Sequence, residues 1–244
     1  MRFSVVELKV SIILPTYNEK ENIKAIIPKI FEVFEKNRID GDVIVVDDNS
    51  PDGTAEEVKK LQTIYSIDLI EREKKMGIGS AYITGFKRAM KNNSDIVFEM
   101  DADLSHNPEY IPEFIGQMDR FDLVIGSRKI EGGKVIGWDF YRKSVSGGGN
   151  WIGRWVSGID VSDLTSGYRA YKRDVIQSID VDKIQSSGYA FQLEILARCL
   201  KKGFKVGATP IVFVDRGAGK SKLSKKELIN FFLTATKIRL GMIK

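Results

Sequence analysis

At 244 residues, with 43% hydrophobic and 29% charged residues, the chain is large enough for one well-buried α/β domain and has the composition of an ordinary soluble globule. Its net charge of +5, from 38 basic against 33 acidic residues, is a weak bias whose placement matters more than its size: the segment from Gly217 to Lys244 is strongly basic and suggests an anionic partner, a nucleic acid or a membrane surface. The single Cys199 excludes an internal disulfide, and neither a signal-peptide pattern nor a run of about 18 apolar residues is present, so a reducing cytosolic setting is expected.

Leu8 to Leu14 reads as a first strand, followed at once by Pro15-Thr16-Tyr17-Asn18-Glu19. From Glu21 to Asn37 the spacing of Ile23, Ile26, Ile27, Ile30, Phe31 and Phe34 predicts a helix, with a kink or late break at Pro28. Asp42 to Val46 is a second strand that ends in Asp47-Asp48-Asn49-Ser50-Pro51-Asp52-Gly53. A helix from Thr54, with Ala55, Val58 and Leu61 inward, leads to a short strand near Ile67 to Ile70. Gly77-Ile78-Gly79 opens the next helix but lacks the third glycine of a dinucleotide fingerprint. Strand then alternates with helix, through Asp95 to Phe98 and Asp122 to Ile125, which implies a parallel sheet covered on both faces. Beyond Gly132-Gly133 the character changes. Trp138 to Gly158 carries Trp138, Trp151 and Trp155 beside Arg142, Lys143 and Arg154, and Ile229 to Lys244 mixes apolar and basic residues again. Both stretches have the composition of a membrane interface, or of helices packed on their own domain.

Parallel strands all end on one edge, so the groups that follow them converge. Asp101 and Asp103 follow the fourth strand, Asp47, Asp48 and Asp52 the second, and Tyr17 and Glu19 the first. Two carboxylates one residue apart on a turn can point at one cation, and oxygen-only ligation suits Mg²⁺ or Mn²⁺ completed by water and phosphates. Arg128, Arg142, Arg216 and Lys222 offer positive charge for phosphates. Gly217-Ala218-Gly219-Lys220-Ser221 imitates the end of a phosphate-binding loop, but Val214 stands where its first glycine belongs, so an NTPase is rejected. His106 is the only histidine, which disfavours His-based triads and metal sites; it is expected as a turn residue beside the metal.

Pro15-Thr16-Tyr17-Asn18-Glu19, Val46-Asp47-Asp48-Asn49-Ser50, Met100-Asp101-Ala102-Asp103 and Ile125-Gly126-Ser127-Arg128 together resemble the inverting family-2 glycosyltransferases. Thr165-Ser166-Gly167-Tyr168-Arg169, Gly188-Tyr189-Ala190-Phe191-Gln192 and Phe213-Val214-Asp215-Arg216 narrow the resemblance to members that mannosylate dolichyl or polyprenyl phosphate. It runs from about Lys9 to Leu223. The resemblance implies a nucleotide-diphospho-sugar transferase (GT-A, Rossmann-like) α/β fold with a mostly parallel central sheet and helices on both faces. Asp48 would then accept from the nucleotide base, with Pro15, Tyr17 and Val46 flanking it and Glu19 touching the nucleotide. Asp101, Ala102 and Asp103 would meet the diphosphate and metal. Ser105 stands where many members carry a metal-ligating Gln; it is shorter, and water can replace it. Arg128, Arg142 and Ser146 match positions that grip the acceptor phosphate, and Arg216 and Lys222 match a loop that closes over the donor.

The stretch Gly188 to Glu194 lacks the paired acidic base of relatives that use hydroxyl acceptors, and Trp151 replaces the Gln of the polysaccharide-synthase Gln-x-x-Arg-Trp pattern at Arg154-Trp155. Both departures favour an acceptor that is already an anion and needs no general base. The expectation is therefore a Mg²⁺- or Mn²⁺-dependent transfer of mannose from GDP-mannose to dolichyl or polyprenyl phosphate, at the cytoplasmic face of a membrane and without nucleic acid. Residues 1–223 form the catalytic domain, with 137–158 as its acceptor and membrane-interface segment, and 224–244 form a basic interface helix. A UDP-glucose:polyprenyl-phosphate glucosyltransferase is the runner-up, and a non-catalytic sugar-nucleotide or nucleic-acid binding module is the third reading. The resemblance is also compatible with a membrane-embedded partner subunit.

Overall fold

The computed structural model describes residues 8–215 and 225–243. Among them, seven strands form the main sheet: β1 (Lys9–Thr16), β2 (Asp40–Asp47), β3 (Ile67–Glu71), β4 (Ile96–Glu99), β5 (Leu123–Ser127), β7 (Arg169–Lys172) and β8 (Val206–Pro210). Their spatial order is β3-β2-β1-β4-β7-β5-β8. All neighbours are parallel except β7, which runs antiparallel between β4 and β5 and pairs Arg169 with both Glu99 and Ile125. That reversal returns residues 163–168, which precede β7, to the edge where β1, β2, β4 and β5 end. A two-stranded ribbon of β6 (Lys134–Ile136) and β9 (Val212–Val214) stands beside this edge and carries Trp138 and Asp215 just past its ends.

The β-branched runs of β1 and β2 alternate between the sheet faces, which divides the core in two. Ile13, Ile44 and Val46 pack with α3 (Ile78–Lys91) and α7 (Tyr189–Lys201); Ile12, Leu14, Val43 and Val45 pack with α1 (Lys20–Asn37), α2 (Thr54–Leu61) and α4 (Ile111–Gln117). The expected break at Pro28 does not occur: α1 runs through it to Asn37. Ile23, Ile26, Ile27, Ile30, Val33 and Phe34 are buried on both sides of Pro28, and that burial outweighs one lost helical hydrogen bond. Phe31, expected inward, is instead half-buried and stacks on Tyr65 at 4.7 Å.

A helix follows each strand of the ribbon: α5 (Phe140–Ser157) comes after β6, between an Asp139 cap and left-handed Gly158, and α8 (Lys225–Arg239) after β9, with α6 (Arg173–Ser178) and α7 between them. α8 packs on α5 and α7 and buries Phe231 and Ala235 in the main core, so one face of this basic helix is structural. Gly153 makes the approach possible, because a Cβ there would lie 2.7 Å from the Phe231 ring. Phe231→Ala is expected to cost about 3–5 kcal/mol, measured as a lower urea midpoint with unchanged slope. For the same reason, deleting residues 229–244 would strip the core as well as the surface.

Candidate active site

The site is built at the common strand edge, where the chain leaves β4. Met100 and Ala102 turn into the core, and Asp101 between them remains about a third exposed. The backbone is held by a left-handed Leu104 (φ 64°) and by Asp103, whose Oδ1 accepts from the Ser105 amide at 3.1 Å and hydroxyl at 2.5 Å. Ser105 is 3% exposed and donates to Asp103, so it orients that carboxylate. His106 is buried, stacks on Tyr168 at 4.8 Å and accepts from the Asp101 amide at 3.0 Å through Nδ1. Burial lowers its pKa, despite the opposing charges of Asp101 and Asp103, so the neutral ring serves as an acceptor. The Tyr82 hydroxyl donates to Asp101 Oδ1 at 3.1 Å, and burial raises its pKa well above the ordinary phenol value, which keeps it a donor. Among the described residues no group of three or more His, Cys, Asp or Glu can enclose a metal. A pair of oriented carboxylates on an open turn fits a hard divalent cation that takes its other ligands from substrate and water.

On the nucleotide side, the three carboxylates after β2 have different jobs. Asp47 accepts from Thr16 Oγ1 at 2.8 Å and from Ser50, and Asp52 accepts from the Thr54 amide and hydroxyl and the Lys20 amide, so both tie turns. Asp48 is buried, and it is held by Arg72, with Nε at 2.5 Å, and by the Met76 amide at 3.0 Å. Arg72 also donates to Ser80 Oγ at 2.7 Å. Tyr17 is exposed, with Lys75 Nζ 3.8 Å from its ring centroid, and Pro15 is half-buried beside it. The Glu19 carboxylate accepts from Asn22 Nδ2 at 2.6 Å at the start of α1. The Val46 side chain is fully buried in the core, and Ala102 is 3% exposed. Their buried side chains leave only backbone atoms to offer a nucleotide.

Across Asp101, the cations gather. Arg128 lies at the end of β5 and forks onto Asp163, with Nε–Oδ2 at 2.7 Å and Nη2–Oδ1 at 2.8 Å; the side chains are 8% and 0% exposed. Burial alone would raise the Asp163 pKa, but the Arg128 charge and hydrogen bonds overcome it and hold the carboxyl at about 2, below its ordinary 3.8. A depressed folded pKa contributes stability above pH 4 that is lost as the pH falls from about 4 to about 2. Asp163→Asn is therefore expected to flatten the acid limb of the stability curve by roughly 2 kcal/mol, read from urea unfolding at pH 5 and pH 2.5. Arg142, on the first turn of α5, pairs with Asp215 at 2.6 Å, and Ser146 one turn later meets Lys129 Nζ at 3.2 Å. Trp138 lies between the two arginines, with Arg142 4.9 Å and Arg128 5.9 Å from the ring centroid. Phe213 bridges Trp138, at 5.8 Å, to His106, at 6.1 Å, and so joins the cation cluster to the Asp101 turn. The expected donor-loop residues Arg216 and Lys222, and the Gly217 to Ser221 stretch, lie outside the described residues.

On α7, Gln192 Nε2 donates to Glu99 Oε2 at 2.7 Å, and burial pushes the Glu99 carboxyl up to about 7 against the pull of Arg169. Glu194 is 3% exposed and accepts from Arg198, at 2.8 Å, and from the Ser186 amide, at 3.1 Å. Cys199 is buried on the same helix, and burial raises its thiol to about 12, so it is packing and not a nucleophile.

With this geometry in place, comparison with known proteins gives consistent findings. The profile of the family described as "Glycosyl transferase family 2" matches residues 11–180. The undecaprenyl-phosphate mannosyltransferase of Micrococcus luteus is 39% identical over 218 residues, covering 89% of this chain and 88% of that protein. The polyprenol monophosphomannose synthase of Mycolicibacterium smegmatis is 38% identical over 216 residues, covering 87% and 80%. Among solved structures, glucosyl-3-phosphoglycerate synthase from Mycobacterium tuberculosis with phosphoglyceric acid superposes with a TM-score of 0.70 at 19% identity, over 95% of this chain and 81% of that one. Its complex with Mn²⁺, UDP-glucose and phosphoglyceric acid gives 0.69 at 19% identity, over 96% and 80%. At this identity the likeness concerns the fold, and it agrees with the mostly parallel GT-A architecture expected above.

Proposed function

The chain belongs to glycosyl transferase family 2, and from that premise we propose that it transfers mannose from GDP-mannose to dolichyl or polyprenyl phosphate with inversion at C1, using Mg²⁺ or Mn²⁺ at Asp101 and Asp103. The observation that carries this reading is the pair of relatives, 39% and 38% identical over almost nine-tenths of the chain, whose names share mannose and a polyprenyl carrier. The site is in keeping with it. Arg142, Ser146 and Lys129 present donors suited to a phosphate, beside the buried Arg128–Asp163 pair, and Asp48, held by Arg72 and the Met76 amide, follows β2 on the same edge, where the base would lie.

In the proposed reaction a phosphate oxygen of the lipid attacks C1 opposite the departing GDP. The attacking group is already ionised, so the protein aligns and desolvates it and removes no proton from it. Tyr82 and the His106-anchored turn fix the Asp101 carboxylate, and Ser105 fixes Asp103, so the charge geometry exists before substrate arrives. A bound divalent cation would neutralise the growing charge on the leaving diphosphate. No described helix is long and apolar enough to cross a bilayer. The reading places the chain at the cytoplasmic membrane face through the exposed sides of α5 and α8.

Donor choice is tested by thermal shift in Mn²⁺. GDP-mannose at about 100 times its dissociation constant adds about 2.7 kcal/mol of stability, and UDP-glucose at the same concentration is expected to add far less. The reverse order would give the donor assignment to UDP-glucose. Base-free attack has a separate check. Glu194→Gln is expected to lower the melting temperature by several degrees, because it disturbs the buried pair with Arg198, yet to keep kcat within about tenfold. A fall of several orders in kcat in a folded Glu194→Gln protein would revive a hydroxyl acceptor.

A further inference from the structure

The region around Trp138 has a surplus of hydrogen-bond donors. The Trp138 indole Nε1 is buried and has no hydrogen-bond partner among the described residues. Buried polar groups are nearly always paired, so an orphan donor calls for an explanation, and beside a binding site a ligand that brings acceptor oxygens is one. The described side chains around Trp138 do not supply the missing partner. Arg142 and Arg128 lie near its ring and are donors only, and Phe213 meets it edge to face at 5.8 Å. The nearby carboxylates are already engaged, Asp163 by Arg128 and Asp215 by Arg142. Two guanidinium groups, an indole N–H, the Lys129 ammonium and the Ser146 hydroxyl thus gather with too few acceptors.

We propose that the Trp138 indole N–H is a further binding group of the acceptor site and donates to an oxygen of the lipid's phosphate monoester, while its ring holds the Arg142 guanidinium beside the same phosphate. This rests on the reading that Arg142 takes the acceptor phosphate. A monoester suits the position because it brings three terminal oxygens and close to two negative charges. It can therefore meet several donors at once, where a carboxylate offers two oxygens. Arg142 and Asp215 are 32% and 20% exposed, so this pair can open to water and exchange its anion, whereas the Arg128–Asp163 pair, at 8% and 0%, is fixed in place. Arg128 is therefore the fixed cation beside Trp138, and Arg142 and the indole are the parts that respond to phosphate.

The test is the indole N–H resonance itself. The chain has three tryptophans, and Trp151 and Trp155 are 69% and 77% exposed, so the buried Trp138 signal is separable in a ¹H–¹⁵N spectrum and is assigned by Trp138→Phe. With the full chain, geranyl phosphate is expected to move the Trp138 N–H downfield, and geraniol is expected to leave it in place. In kinetics, Trp138→Phe keeps an aromatic ring against Arg142 and Phe213 but removes the donor. It is expected to raise KM for polyprenyl phosphate about tenfold, with kcat within twofold and GDP-mannose affinity unchanged; a purely structural ring would leave that KM alone. Arg142→Ala separates the two ways of failing. If it raises the acceptor KM while Trp138→Phe does not and the resonance stays put, the acceptor reading stands and this inference is overturned. If neither variant changes the acceptor KM and the resonance stays put, both fall.

Discussion

Asp101→Ala and Asp103→Ala are each expected to reduce mannosyl transfer by about 10³-fold or more, with the melting temperature within a few degrees of the parent chain. Asp101 is about a third exposed, at the end of a strand, and the core residues on either side of it, Met100 and Ala102, are untouched by the change. Loss of Asp101 removes the acceptor for Tyr82 and one of the two carboxylates, so the leaving diphosphate would develop its charge against an incomplete counter-charge. Asp103→Ala also frees Ser105 from its 2.5 Å bond and loosens the turn. Ser105→Ala, which only loosens it, is expected to cost about 10–100-fold, the range for groups that orient a ligand. Near-normal turnover of either aspartate variant with Mg²⁺ would refute the assignment of the cation to this turn.

The second large effect concerns the membrane. α5 and α8 pack side by side, and α8 gives Phe231 and Ala235 to the core while Trp151, Trp155, Ile229 and Leu233 stay largely exposed. Such apolar side chains, flanked by Arg154 and Lys237, suit reversible insertion at a lipid surface. At about 1–2 kcal/mol for each side chain buried in lipid, the combined Trp151→Ser, Trp155→Ser, Leu233→Ser variant is expected to lose about 4 kcal/mol, or about 10³-fold, in liposome partitioning. Its fold and GDP-mannose affinity are expected to stay unchanged, because none of the three side chains is buried. Undiminished sedimentation with anionic liposomes would show that this face does not meet the membrane. The point variants replace a deletion of 229–244, which would remove core residues as well.

The sequence made the Asp101–Asp103 turn legible because an apolar β-branched run stops abruptly at two carboxylates and a proline-started turn follows. The pairing of Asp48 with Arg72 was not legible, since Arg72 lies 24 positions away in a charged loop and looks like any solvated cation. Asp163 was missed for a topological reason. The strand–helix rhythm implies parallel strands, and only the antiparallel insertion of β7 returns residues 163–168 to the site. Composition groups Trp138 with Trp151 and Trp155, yet it sits between Arg128 and Arg142 while the other two are exposed. The burial of Phe231 could be suspected from its apolar character, but its depth depends on Gly153 opposite, and no helical periodicity within α8 reveals that.

In the proposed reaction a lipid phosphate oxygen, not a hydroxyl, attacks C1 of mannose. The direct test is product analysis after incubating the full chain with GDP-mannose, Mg²⁺ and polyprenyl phosphate in liposomes. The expected product is a mannosyl phosphoryl lipid whose mannose is β-linked through oxygen to the phosphate, inverted from the α-linkage of the donor, with no product formed from the corresponding polyprenol. An α-linked product, or transfer to polyprenol while the phosphate is left unused, would contradict it.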